Sequence, residues 1–335
     1  MMNKKIKGDT VKWGIVGVGD VCEVKSAPAM NLIPNSKIVA VMRRDADKVK
    51  DYALRHGIGK WTTNAEELIN DPEVNAIYIA TPPAFHMEYT IKAAQVGKPV
   101  YVEKPMAKTH SECQQMIQAS EQAGVPLYTA YYRRALPNFL KVKDLIERGA
   151  IGAVRFVEVR MAKPPQPDII THQENHWRVD PEVSGGGYFY DLASHQLDFL
   201  DFLFGPIKKA SGTSANQGGL YTAEDLVVAS FEFESGVLGT GSWCFSTGET
   251  SDKDLTTIVG SKGEISYASF GSNEITLKTD KKGSETFSFE MPKHIQQPLI
   301  QQVVDDLLGL GDCVSSGQSG ARTNKVMEWM KGVGN

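Results

Sequence analysis

Lys104, Asp191 and His195 are the residues of this chain best suited to moving a proton to or from an oxygen bound to carbon. Removing hydride from an alcohol carbon leaves a hydroxyl proton to be taken away, and the reverse reaction needs a proton delivered to oxygen. An imidazole titrates near neutrality and can do either. Asp191 and His195 stand four residues apart on a predicted helix, so both project from one face. Lys104 follows a predicted strand, where its ammonium can hold a substrate oxygen and offset developing alkoxide charge. Pro105 restricts Lys104 to extended backbone and directs it outward. Singly, each has a bland reading: a solvated lysine, a helix-turn acid, a satisfied core histidine. Together they predict an acid–base site around the carbon that exchanges hydride, with the proton donor, Lys104 or His195, left open.

Hydride chemistry requires a carrier, and Gly17-Val18-Gly19-Asp20-Val21-Cys22 is the segment that could hold one. It lies between the first predicted strand and the first helix, where glycines permit a tight turn and let backbone N–H groups approach a pyrophosphate. Cys22 stands where a third glycine or alanine is usual; its small thiol still allows the helix to pack closely on the strand. After the second strand, Arg43-Arg44 replaces the acid that would accept from a ribose 2′-hydroxyl. Arginine there suits a 2′-phosphate and can stack on adenine, so NADP is favoured over NAD.

The elements that must position these residues begin with a β-α-β rhythm. Val11–Val18, Lys37–Met42, Ala76–Ala80 and Val100–Val102 read as strands. Helical stretches reach Leu32, pass through Tyr52, and span Glu88–Gln95 up to Gly97. In an open parallel sheet the loops at the carboxyl ends, here Gly17, Met42, Thr81 and Glu103, should line one crevice. From about Tyr128 the pattern changes. Val154–Met161, Leu226–Glu232, Gly236–Trp243, Glu264–Tyr267 and Glu274–Thr279 predict a mixed, largely antiparallel sheet. Gly185-Gly186-Gly187 leads into a helix Tyr188–Phe204, and Leu299–Leu310 and Lys325–Met330 close the chain as helices. Two domains follow, 9–128 and 129–335, with the C-terminal helices able to pack back on the first.

The bulk composition narrows the function class. The chain has 335 residues, enough for two domains and a cleft, and is 41% hydrophobic and 23% charged, as globular domains are. A net charge of -4 supplies no basic field for nucleic acid. Cys22, Cys113, Cys244 and Cys313 are dispersed without a C-x-x-C pair, which argues against a zinc knuckle or disulfide framework and suits a reducing cytoplasm. No membrane-length apolar run or export signal is expected. His172 and His176 lack an acidic ligand at helical spacing, so no metal is expected. Tyr131, at the start of the second domain with Tyr132 and Arg133, could touch substrate, and Arg178 could grip substrate hydroxyls or a phosphate.

Thr81-Pro82-Pro83, His86 and Glu103-Lys104-Pro105, followed by Trp177-Arg178 and Gly185-Gly186-Gly187 with Asp191 and His195, resemble the motifs of the Gfo/Idh/MocA oxidoreductases. The resemblance covers roughly Lys12 to Arg322. It implies an α/β fold: an N-terminal Rossmann dinucleotide-binding domain plus a C-terminal α/β domain with an open, mainly antiparallel sheet, often an oligomer interface, here for a homodimer or tetramer. It puts the phosphate turn on Gly17 and Gly19, with Asp20, Val21 and Cys22 beside them, and ribose recognition on Arg43 with Arg44. Nicotinamide contacts fall on Thr81, Pro82, Glu103 and Lys104; His86, Trp177 and Arg178 complete the cofactor set. Catalysis falls on Lys104, Asp191 and His195, and substrate on Tyr131, Arg178, Asp191 and His195. The implied activity is NAD(P)-dependent dehydrogenation or reduction of a sugar, polyol or related small molecule. Two other readings stay open: a non-catalytic NADP-binding sensor, which would not need Lys104 and His195, and an NAD-dependent glycosidase with no net change in the cofactor.

Overall fold

The computed structural model describes residues 5–165 and 177–333. The chain divides into two compact units, one formed by residues 1–132 and 292–321, the other by residues 133–291 and 322–335. The first passage thus falls a few residues beyond the change of pattern near Tyr128. The chain also returns to its first unit after the second sheet is complete.

The first unit is built on six strands: β1 (Val11–Val16), β2 (Ser36–Met42), β3 (Lys60–Thr62), β4 (Ala76–Ile79), β5 (Val100–Val102) and β6 (Leu127–Thr129). They pair in the order β3-β2-β1-β4-β5-β6, all parallel. Both β4 and β5 are buried along their whole length, as a sheet covered on two faces requires. Ile77, Ile79, Val100 and Val102 join Leu68, Met116 and Ile117 from the covering helices in one core cluster. Each such side chain removed from water stabilises the unit by about 1.5–3 kcal/mol. The helices start where the sequence caps them. Asp45 accepts from the Lys48 amide at 3.0 Å, and Thr109 with Glu112 forms a reciprocal capping box for His110–Ala123.

The single helix expected up to Leu32 is two, Asp20–Val24 and Ala27–Leu32. Pro28 has no N–H to return to the carbonyl four residues back, so the ladder breaks at Val24. The carbonyl of Val24 is taken instead by His294 Nδ1 at 2.6 Å, from the segment that returns to the first unit.

The second unit carries eight strands: β7 (Val154–Ala162), β8 (Ile207–Ala215), β9 (Leu226–Phe233), β10 (Leu238–Cys244), β11 (Lys253–Gly260), β12 (Gly263–Tyr267), β13 (Glu274–Thr279) and β14 (Gly283–Ser288). Their order is β14-β13-β12-β11-β7-β10-β9-β8; only the β7–β10 pair is parallel. Alternation sends Val227, Phe231, Phe233 and Trp243 to a buried face. Helix Ser194–Phe204 adds to the same core, with Phe199 edge-on to Phe139 and Tyr267 at 4.7 and 5.9 Å. The opposite face, with Glu158, Arg160, Thr213, Ser230, Thr240 and Ser242, lines a shallow groove of about 870 Å³. Among the described residues no helix is long and apolar enough to cross a membrane.

Candidate active site

In the first unit, strands β1 and β4 are neighbours whose following connections run to opposite sides of the sheet, which opens a crevice beyond their carboxyl ends. Gly17 occupies that point with φ +95°, and a Cβ there would stand 2.6 Å from Thr81 Cγ2 and 3.0 Å from the Thr81 amide nitrogen. Only glycine satisfies both demands. Nothing lies within 4 Å of a Cβ built at Gly19, so the turn opens on free space. Cys22 is fully buried, its amide bonded to the Gly19 carbonyl at 2.9 Å, and burial pushes its thiol up to about 12. It acts as packing beneath the turn. Arg43 Nη1 donates to the Val18 carbonyl at 3.0 Å, which holds the guanidinium over the same turn. Arg44 lies over the Phe85 ring at 5.1 Å. The nearby acid, Asp45, is spent on its helix cap.

Lys104 follows β5, and it is the one residue from Tyr101 to Ala107 that is not buried. The Lys104–Pro105 peptide is cis. Two expectations for the neighbouring residues need correction. His86 is fully buried: Nε2 lies 2.7 Å from the Thr81 carbonyl, and Nδ1 lies 3.2 and 3.1 Å from those of Pro105 and Met106. It ties two loops together and offers no surface to a cofactor. Burial lowers its basicity, with the carbonyls opposing. Glu103 is 7% exposed, and its carboxylate accepts from Tyr78 and Gln296 at 2.7 Å each, so it faces the interior and not the crevice. The hydroxyl of Thr81, by contrast, is buried without a hydrogen-bond partner among the described residues.

In the second unit, Asp191 and His195 do not sit on one uninterrupted α-helix. A π-helical turn, Phe189–Ala193, carries Asp191 and runs into the α-helix Ser194–Phe204, which carries His195 in its first turn. Gly187 precedes the turn with φ +65°, where a Cβ would meet Ala223 Cβ at 2.6 Å. Arg178 Nε approaches Asp191 Oδ2 at 3.5 Å, and its guanidinium covers Trp177 at 4.5 Å. His195 is 2% exposed and meets Phe270 edge-on at 5.8 Å. Phe270 is fixed by its amide on Asp254 Oδ2 at 2.6 Å and by Arg133 stacked on its ring at 4.2 Å. Gln196 donates to Asp254 and accepts from Trp243. Burial raises the Asp254 carboxyl. Tyr131, expected to touch substrate, is fully buried. His172 and His176 lie outside the described residues; among the described ones no group of three His, Cys, Asp or Glu side chains could hold a metal.

Residues 11–131 match the model of the oxidoreductase family with an NAD-binding Rossmann fold, and residues 139–266 match the GFO/IDH/MocA C-terminal domain. The chain belongs to the GFO/IDH/MocA oxidoreductase family. Among relatives of this GFO/IDH/MocA chain, "Oxidoreductase P35" of Formosa agariphila is 40% identical over 319 residues, 95% of this chain and 97% of the relative. The 1,5-anhydro-D-fructose reductase of Ensifer adhaerens is 30% identical over 70% of each chain. The structure of levoglucosan dehydrogenase in complex with NADH and levoglucosan superposes with a TM-score of 0.85 over 96% of each chain, at 20% identity. The expected α/β architecture and the class of enzyme, an NAD-binding oxidoreductase, both hold.

The crevice of the GFO/IDH/MocA chain fits a dinucleotide. A turn that rejects any side chain at Gly17, open space at Gly19 and the unpartnered Thr81 hydroxyl are what a bound phosphate and amide would use. Several of the residues that build the site had no local signal in the sequence. Gln296 reaches Glu103 across 193 positions, and Asp254 and Phe270 stand in a strand and a hairpin remote from His195.

Proposed function

We propose that this enzyme is an NADP(H)-preferring dehydrogenase or reductase that interconverts a hydroxyl and a carbonyl on a sugar or polyol. The observation that carries the reading is Lys104: a partly exposed lysine at the carboxyl end of β5, in a segment buried on either side, in the family's Glu-Lys-Pro setting. Gly17, Gly19, Arg43 and Thr81 would hold the dinucleotide, whose nicotinamide supplies the hydride acceptor or donor. Lys104 holds the substrate oxygen and offsets its charge as the proton departs. His195 exchanges that proton, and Asp191, paired with Arg178, orients a neighbouring hydroxyl. The relatives' names, an anhydro-sugar reductase and a levoglucosan dehydrogenase, support carbohydrate-like substrates. Self-association is assigned to the polar open face of the second sheet. The test is a screen of aldoses, polyols and keto-sugars with each cofactor, followed by nicotinamide absorbance. Nucleotide binding without turnover would favour a sensor, and release of a sugar without net NADPH would favour a glycosidase.

Cofactor choice is assigned to Arg43. A charge-assisted bond to a 2′-phosphate contributes about 1.5–3 kcal/mol, equivalent to roughly 10- to 150-fold in affinity. NADP(H) should therefore bind at least about tenfold more tightly than NAD(H). Arg43→Asp should reverse the order, because aspartate repels the phosphate and accepts from the free ribose diol. Titrations with both dinucleotides at two ionic strengths decide it; a ratio unchanged by the substitution shows that Arg43 only braces Val18.

A further inference from the structure

Behind Lys104 lies a buried polar network that none of these roles uses. Glu103 Oε1 accepts from the Tyr78 hydroxyl and from Gln296 Nε2, both at 2.7 Å, and Oε2 lies 3.2 Å from the Lys104 amide nitrogen, which donates to it. The Gln296 amide is oriented by Tyr101, whose hydroxyl donates to Gln296 Oε1 at 3.0 Å. On the other side, Ser26 Oγ lies 3.0 Å from the Tyr78 oxygen and 3.2 Å from the Val21 carbonyl. Tyr78, Tyr101 and Ser26 are fully buried, and Gln296 is 1% exposed.

The partners join two places that chemistry needs at once. Val21, Val24 and Lys25 belong to the broken helix that follows the Gly17–Gly19 turn. The segment carrying Gln296 grips that helix twice more, through His294 Nδ1 on the Val24 carbonyl and the Gln296 amide on the Lys25 carbonyl at 3.2 Å. Core packing alone would not require this. Replacing a buried hydrogen-bonded set by apolar groups of the same shape can be nearly neutral, whereas here three donors, from Tyr78, Gln296 and the Lys104 amide, converge on one carboxylate.

We propose that Gln296 and Tyr78 are positioning residues: through Glu103 they fix the backbone of Lys104 and lock it in register with the dinucleotide turn. The assignment rests on the part given to Lys104 above. Neither residue touches the reacting atoms. Gln296, contributed by the returning segment, is the keystone, because its single amide reaches Glu103 while its backbone holds Lys25. The ionisable groups that face Glu103 are Cys22, Tyr78, Tyr101 and His86.

Three variants test it: Gln296→Met, which keeps volume and removes the amide; Tyr78→Phe, which removes one hydroxyl; and Gln296→Glu, which can donate to Glu103 only when it carries a proton. Hydrogen exchange of the peptides spanning residues 17–26 and 100–107 is read first, since it needs no substrate. Gln296→Met and Tyr78→Phe should raise exchange in both peptides together, with NADPH affinity within about threefold of wild type. With an active substrate, both should lower kcat about tenfold at unchanged KM. Gln296→Glu should lose kcat at high pH and regain it on acidification, as two adjacent carboxyls come to share a proton. Unchanged exchange in either peptide overturns the proposal whether or not a substrate is in hand. A pH-independent Gln296→Glu also overturns it. Absence of turnover in the wild type with coupled exchange intact would overturn only the role of Lys104. Should Gln296→Met fail to fold, Tyr78→Phe carries the same test.

Discussion

Alanine at Lys104 or at His195 is expected to lower turnover by about 100-fold or more while leaving dinucleotide affinity within a few-fold of wild type. Lys104 keeps its exposure within a buried segment, and His195 opens a helix directly after a π-turn. An ammonium at the substrate oxygen acts on charge that grows toward the transition state, so its removal should appear in kcat and in kcat/KM alike. On the proposed roles, in which both groups act on one substrate oxygen, the double variant should be little worse than the worse single one. Steady-state kinetics with an active substrate and fluorescence titration of NADPH measure both quantities. His195 is buried against Phe270, so His195→Gln is needed beside the alanine variant to separate lost chemistry from a cavity, with thermal melting as control. Near-wild-type rates in Lys104→Ala and His195→Gln would remove the site.

The second large effect concerns stability. Arg134 is 4% exposed and grips Asp198, 1% exposed, by two bonds of 2.8 and 2.7 Å; it also lies 3.4 Å from Asp201. Arg322, whose side chain is 39% exposed, holds Asp201 from the surface at 2.8 and 2.6 Å, so two guanidiniums, one buried and one partly exposed, balance two buried carboxylates of the second unit. Arg134→Met leaves Asp198 as an uncompensated buried charge, a change that costs about 3–5 kcal/mol. For a unit of this size that is a fall in Tm of roughly 6–20 °C. Burial pushes the Asp198 carboxyl up to about 6 in spite of Arg134. Its folded value thus exceeds the unfolded one, about 3.9. The stabilising contribution of proton uptake at Asp198 is present below about pH 4 and disappears as pH rises through about 6. Without Arg134 the ionised form is disfavoured further, so the deficit of Arg134→Met should be larger at pH 8 than at pH 5. Glu23 works in the opposite sense: Arg55 holds it down at about 2, and its contribution is lost only as pH falls through that lower range. Urea unfolding at the two pH values measures the difference; a deficit independent of pH would show that the pair is not the source.

What the sequence disclosed was local. Val100–Val102 and Glu274–Thr279 were legible as strands because apolar and β-branched residues run between turn signals, and both have those bounds. The glycine turn, Glu103-Lys104-Pro105 and the Asp191–His195 spacing were legible because their residues are neighbours in the chain. Strand β8 was not, since Ile207–Ala215 alternates toward an open face with lysine and serine and has no apolar stripe to betray it. The π-turn at Asp191 adds one residue to a helical turn, which no spacing of apolar residues marks. His86 and Glu103, which the family resemblance put against the cofactor, have side chains held by partners inside the first unit. Gln296 could not have been found, because its amide is assigned a partner only by the fold that brings residue 296 to residue 103.

The return of residues 292–321 to the first unit bears on how the molecule is made. Helix Gln297–Leu308 supplies Leu299, Ile300, Val303, Val304 and Leu307, all fully buried, to a sheet whose last strand ends at Thr129. During synthesis that sheet must wait for roughly 160 further residues, about 10–30 s at 5–20 residues per second. Meanwhile the sheet of the second unit is complete by Ser288, with only residues 322–335 of that unit still to follow the returning helix. The nascent first unit therefore spends its wait with an uncovered apolar seam, a surface for chaperones to shield. Its closure is a late event set by long-range contacts, so the dinucleotide-binding half, although first off the ribosome, is completed only after every strand of the second unit has been made.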